Sequence, residues 1–216
     1  MMKLTLLIFI SILFNACSFK TPPNQWQYKS TTAFSSYTQN FLSSKNILAK
    51  NDFKRAVNHA KVSADLSSLA KIYLGECALN ISVGIEDKCI KYQNISSTIE
   101  NESLKTYYNF LTLNIKSSQI DSLPSQYQDF TKNLLTTNYA KANQDISKIE
   151  KTTSKMLAGA LLKEHIQEAT IQGIIKDASL HGYKKSVLYW LKRLKQATKD
   201  TKKIAIINKK IEIINE

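Results

Sequence analysis

The chain has 216 residues, 43% of them hydrophobic and 22% charged, with a formal net charge of +13. That length suits one domain with a sizeable core, and only five glycines and three prolines leave too little turn chemistry for a sandwich or barrel of many short strands. The excess of lysine and arginine favours anionic partners: lipid headgroups, cell-wall polymers, nucleic acid or an acidic protein.

The first element is a three-part leader. Lys3 supplies a positive start, Leu4 to Phe14 form an almost unbroken apolar stretch, and Ala16 is the small residue of a cleavage position. A spanning helix needs about 20 apolar residues, and this run is roughly half as long, so it reads as a signal peptide over residues 1–16. The pattern Leu13-Phe14-Asn15-Ala16-Cys17 resembles a bacterial lipobox. The resemblance implies a diacylglycerol on the Cys17 sulfur, removal of the preceding segment and acylation of the new amino terminus. Two or more chains, each methylene contributing about 0.8 kcal/mol, anchor a protein without any transmembrane helix. Ser18 after the cysteine matches the family's outer-membrane sorting tendency, so the expected location is the periplasmic face of the outer membrane. Loss of Lys3 with the leader takes the charge from +13 to +12.

Residues 17–32 lack periodicity and contain Pro22-Pro23, the composition of a polar tether. Trp26 and Tyr28 within it suit either the headgroup level or docking on the domain. From residue 33 to 216 helical periodicity dominates. Phe34, Tyr37, Phe41, Leu42 and Leu48 mark a helix ending near Asn51-Asp52. Phe53, Ala56, Val57, Ala60 and Ala64 mark a second, and Leu66, Leu69, Ala70, Tyr73, Leu74 and Cys77 a third. Gly84 marks a turn, and further helices are expected over 86–98, 102–117, 124–137, 139–164, 166–180, 184–198 and 201–215. Pro124 suits a first helical turn, and Asn138 and Gly182 suit helix ends.

Cys77 and Cys89 form an even pair in an oxidising compartment. Each lies six residues from Val83, or about 9 Å from the turn along its own helix, so an antiparallel helix pair would bring them together. A disulfide closing so short a loop contributes about 3 kcal/mol in the chain-entropy model.

"AKNDFKRAVNHAKVSA", with Ala56, Ala60 and Ala64 at four-residue spacing, and "QGIIKDASLHGYKKSVLYWLKRL", with Gly182, Tyr183, Val187, Leu191 and Leu194, resemble the second half of a tetratricopeptide-type repeat. The expected fold is therefore all-α, with antiparallel helix pairs in an αα-solenoid; the alternative is an irregular helical bundle. "MLAGALL", Met156 to Leu162, is too short to span a bilayer and reads as a buried segment in which Gly159 permits a close helix contact.

Chemistry is scarce. His59, His165 and His181 form no metal-spacing pair with one another or with a cysteine, and Glu164, His165 and Glu168 read as a solvated charged face of one helix. There is no glycine-rich phosphate loop, nucleophile elbow or paired-carboxylate motif. The expectation is no catalytic residue, no metal and no cofactor.

The remaining feature is the basic end. Lys184, Lys185, Lys192, Arg193, Lys195, Lys199, Lys202, Lys203, Lys209 and Lys210 face one acid, Asp200, so residues 184–210 carry +9 (ten minus one). Val187, Leu188, Leu191 and Leu194 form the apolar face of one helix, and Ile204, Ile207, Ile211 and Ile214 that of the next. Such faces are either solvated or form a dock for anionic lipid, cell-wall polymer or an acidic partner. Nucleic acid fits an extracytoplasmic location poorly. The functional expectation is a lipid-anchored envelope scaffold for a protein partner, the alternative being a basic-surface binder.

Overall fold

The computed structural model describes residues 24–216; the leader, Cys17 and Pro22-Pro23 lie outside the described residues. Within them every regular element is helical: α1 (Gln25–Leu42), α2 (Asn46–Val62), α3 (Leu66–Ser82), α4 (Ile90–Ser96), α5 (Glu102–Leu111), α6 (Ser125–Leu135), α7 (Tyr139–Lys148), α8 (Thr152–Leu161), α9 (Glu168–Leu180), α10 (Lys184–Ala197) and α11 (Thr201–Asn215), with 3-10 turns at Ser117–Ser122 and Lys163–His165. No helix among the described residues is long and apolar enough to cross a membrane.

One device ends five of these helices. Ser44, Gly84, Leu113, Thr137 and Gly182 all take positive φ. The next N–H in each case reaches back five residues to a carbonyl: Lys45 to Asn40 (2.8 Å), Ile85 to Asn80 (2.9 Å), Asn114 to Asn109 (2.8 Å), Asn138 to Asn133 (2.8 Å) and Tyr183 to Ala178 (3.0 Å). This is the Schellman closure, which satisfies carbonyls left orphaned in the last turn. In four of the five the accepting residue is asparagine, and its side chain is used as well.

In the α1–α2 hairpin, Asn40 Nδ2 donates to Asp52 Oδ2 (2.7 Å), and Arg55 pairs with the other oxygen of Asp52. In the α6–α7 hairpin, Asn133 Nδ2 donates to Asp145 Oδ2 (2.7 Å), and Lys148 pairs with Asp145 Oδ1 (2.9 Å). Both asparagines stand twelve residues before their aspartate. Thr38, Asn40, Leu42, Ala49 and Asp52 recur as Thr131, Asn133, Leu135, Ala142 and Asp145. The two hairpins are copies of one clasp, in which a buried carboxylate is held by an amide and a cation.

This clasp corrects the first two expected boundaries. Asn51-Asp52 does not end a helix; it lies inside α2, and the break falls at 43–45. The tether is shorter than expected, because α1 begins at Gln25 and already packs there: Ser30 is buried and donates to the Ala56 carbonyl (2.9 Å). Trp26 is half-buried and Tyr28 exposed on the first turn. The helix expected over 102–117 stops at Leu111, and the one over 139–164 is two, interrupted where Ile149 takes extended backbone (ψ 116) and is buried. Asn138, placed between two helices, also caps α7 by accepting from the Lys141 N–H.

The helices pack as pairs, α1 with α2, α6 with α7 and α9 with α10, as expected of an all-α fold of helix hairpins. An open solenoid has contacts only between neighbouring repeats. Here α3 packs on α8, far away in sequence, and α10 returns to α1, which closes the arrangement in the manner of a bundle. At its centre lie Leu74, Phe110, Phe130, Ile146, Met156, Leu157, Ile171, Ile174 and Trp190 in one continuous core.

Gly159 is what lets α8 in. A Cβ there would stand 2.6 Å from Ile174 Cδ1 and 3.0 Å from the Trp190 ring. Gly159→Val is expected to destabilise by about 1–3 kcal/mol through overpacking, read as a lower melting temperature.

Candidate functional site

Cys77, on α3, and Cys89 lie at disulfide distance with Cα atoms 5.2 Å apart, inside the 4.4–6.8 Å range such bonds occupy. The route differs from the expected helix pair. Residues 83–89 form an irregular loop, and Cys89 is the N-cap of the short α4 with φ 55. Asp87 organises this loop: its Oδ1 accepts the Cys89 N–H and its Oδ2 the Asn80 amide, each at 2.7 Å. Cys77, Asp87 and Cys89 place their donor atoms within 4.8 Å of one another, but both carboxylate oxygens are occupied by protein N–H groups and the sulfurs by each other. The cluster is a staple for the loop. Reduction is expected to lower stability by about 3 kcal/mol for a loop this short; a melting scan with and without reductant, with alkylation of free thiols, measures it.

The basic residues divide. Three are engaged within the fold. Lys185 is half-buried, its Nζ 3.1 Å from Asn46 Oδ1 and 3.8 Å above the Phe41 ring, and burial holds its pKa below the ordinary lysine value. Arg193 donates to the Lys163 carbonyl (2.6 Å), and Lys203 pairs with Glu168 (2.8 Å). Lys184, Lys192, Lys195, Lys199 and Lys202 are exposed; Lys192 lies opposite the buried side of α10, and Lys184 and Lys195 flank that side, three residues from Val187 and four from Leu191 respectively. Glu164, His165 and Glu168 do not share a helix. His165 stacks flat on Tyr139 (centroids 3.7 Å, interplanar 5°), whereas Glu168 turns to Lys203 and Gln172.

A groove of about 1130 Å³ lies on the described surface, and no single stretch of sequence announces it. Phe34, Gly75, Ala78, Leu79, Leu104 and Leu157 make its apolar floor. Its walls are hydroxyls and amides from α1 (Thr31, Ser35, Thr38, Gln39), from α5 (Ser103, Tyr107), from the 3-10 turn before α6 (Ser122) and the first turn of α6 (Gln126, Tyr127), and from α8 (Thr152, Thr153, Ser154), with the His181–Tyr183 turn at one end. Gln126 Nε2 donates to Ser154 Oγ (2.8 Å), and the Tyr107 and Tyr127 rings pack with centroids 6.2 Å apart. Burial pushes both phenols up, so both are protonated at neutral pH. The ionisable side chains other than tyrosine on its lining are Glu150, Lys151 and His181, which leaves the groove close to neutral. Apolar floor, neutral polar walls and an open top suit an extended, uncharged segment whose backbone or hydroxyl groups meet the wall donors and acceptors.

Compared with known protein families, with curated proteins and with solved structures, the chain matches none.

Proposed function

We propose that the chain is a lipid-anchored envelope protein whose helical domain is a non-catalytic scaffold, seating an extended segment of a protein partner in the groove. The observation that carries this reading is the groove itself: about 1130 Å³ of open, neutral, hydroxyl-rich concavity over an apolar floor. Acylation at Cys17, carried by the lipobox resemblance, would hold the domain at the periplasmic face of the outer membrane. Function read from a helical scaffold is an analogy of architecture, so the test is made on the site.

Ser35 and Ser103 line the groove and are exposed. Replacing both with tryptophan fills the groove without touching the core. Capture of envelope proteins on the double variant is expected to fall at least tenfold relative to wild type, with an unchanged melting temperature. Because the groove is nearly neutral, wild-type capture should persist in 0.5 M salt, where the screening length is about 4 Å. Equal capture by wild type and variant would remove the groove from the function.

A further inference from the structure

α11 is apolar on two sides. Its inner side is Ile204, Ile207, Ile211 and Ile214; Ile207 is buried and the other three are half-buried, with Ile211 and Ile214 packed on the core. Its outer side carries Ile206 and Ile213, each 57% exposed. They lie seven residues apart, two helical turns, and so on one line along the helix. Lys202, Lys209 and Lys210 are exposed on that side, and each is three or four residues from an outer isoleucine, the spacing of surface neighbours.

The acids near this face are few. Asp200 caps the helix by accepting the Lys202 and Lys203 N–H groups, Glu212 pairs with Lys209 (3.0 Å), and Glu216 is the C-cap of the helix. Lys199, on the link to α10, adds a further exposed cation.

Exposed apolar side chains occur elsewhere on the chain, Ile47, Val62 and Leu180 among them; what sets this face apart is that its two isoleucines stand in line with lysines on either side. A polyanion such as nucleic acid or a cell-wall polymer would satisfy the cations and leave the isoleucines wet. The partner that matches both is anionic at its surface and apolar just beneath, which is the interface of an anionic bilayer. We propose that the outer face of α11 docks on anionic lipid, with Ile206 and Ile213 entering the interface and Lys202, Lys209 and Lys210 meeting lipid phosphates. This docking is independent of the groove and of Cys17, and it would fix how the domain stands on the membrane that an acyl anchor merely tethers it to.

The test is hydrogen exchange on the full chain reconstituted in phosphatidylglycerol or phosphatidylcholine vesicles. α11 keeps a single fully buried side chain, Ile207, so its amides should open readily in neutral vesicles and slow at least about fivefold in anionic ones, with α6 and α7 unchanged as internal controls. I206S/I213S should abolish the slowing while keeping the melting temperature, since both side chains are exposed, and Gln at Lys202, Lys209 and Lys210 should abolish it too. Equal exchange in the two vesicle types, or wild-type protection in the serine variant, would overturn the proposal. Slowing by added polyglutamate but by neither lipid would overturn it in favour of an acidic protein.

Discussion

Asn143→Leu is expected to destabilise the domain by roughly 3–6 kcal/mol, since each buried polar group left unpaired costs about 1–3 kcal/mol. Asn143 is 2% exposed and makes every hydrogen bond an asparagine side chain offers. Its Nδ2 donates to the carbonyls of Tyr139 (2.8 Å) and His165 (3.1 Å), and its Oδ1 accepts the Gln167 N–H and the Thr170 hydroxyl (both 2.9 Å). One side chain thus ties α7 to the Lys163–His165 turn and to the start of α9. Leucine matches its bulk but orphans the His165 carbonyl, the Gln167 N–H and the Thr170 hydroxyl together. At about 2–4 °C per kcal/mol for a chain this size, the melting temperature should drop by more than 6 °C. Thermal unfolding followed by circular dichroism checks it; a drop below 3 °C would mean that water replaces these bonds without penalty.

Cys17→Ala is the second change of large effect. If the lipobox reading holds, the variant takes up no fatty acid, keeps its leader and is heavier than the processed wild type. Its hold on the membrane should also change in kind. Acyl chains release nothing in 0.5 M salt, whereas any attachment that remains through the basic face of α11 should wash off, because the Debye length there is about 4 Å. Metabolic labelling with a fatty acid reads the first effect and a salt wash the second. Continued labelling of the variant would place the lipid elsewhere.

The last three helices were the most legible in sequence. α9, α10 and α11 fall within two residues of expectation because their apolar residues keep helical spacing and Gly182, with φ 66, marks the reversal between α9 and α10. Gly84, φ 73, did the same after α3, and Met156 to Leu162 proved to be the largely buried C-terminal half of α8 with its C-cap residue. The boundary at 43–45 was hidden because Ser44 takes the left-handed conformation without being glycine; a serine there looks no different from a serine in a helix. Its cost is met by the Asn40 carbonyl and the Asp52 clasp, which are tertiary. The interruption at Ile149 was hidden because Ile146 and Ile149 are both buried at a spacing of three, so the apolar rhythm runs through the break unchanged.

The Asn40–Asp52 and Asn133–Asp145 copies were legible in principle as an asparagine twelve residues before an aspartate, with a threonine before and an alanine between. A search at the shorter spacing of a tetratricopeptide-type repeat passes over them, since they recur 93 residues apart (133 minus 40). The groove had no linear signal. Its hydroxyls come from helices on either side of α3, and only the return of α10 to α1 and the packing of α8 on α3 bring them around one hollow. Among the basic residues, charge alone could not separate Lys185, Arg193 and Lys203, which hold helices together, from Lys184, Lys192 and Lys195, which face solvent.

The groove as a seat for a partner is tested most directly by a photo-crosslinking residue placed singly at Ser35, Ser103 and Gln126, all exposed on its lining, and at Lys54 and Lys61 on the exposed side of α2 as controls. Irradiated in intact cells, the three groove positions should give one common adduct that survives 0.5 M salt and disappears in the Ser35→Trp/Ser103→Trp background when the probe is at Gln126. No adduct from the groove positions, or the same adduct at equal yield from Lys54 and Lys61, would contradict a binding groove.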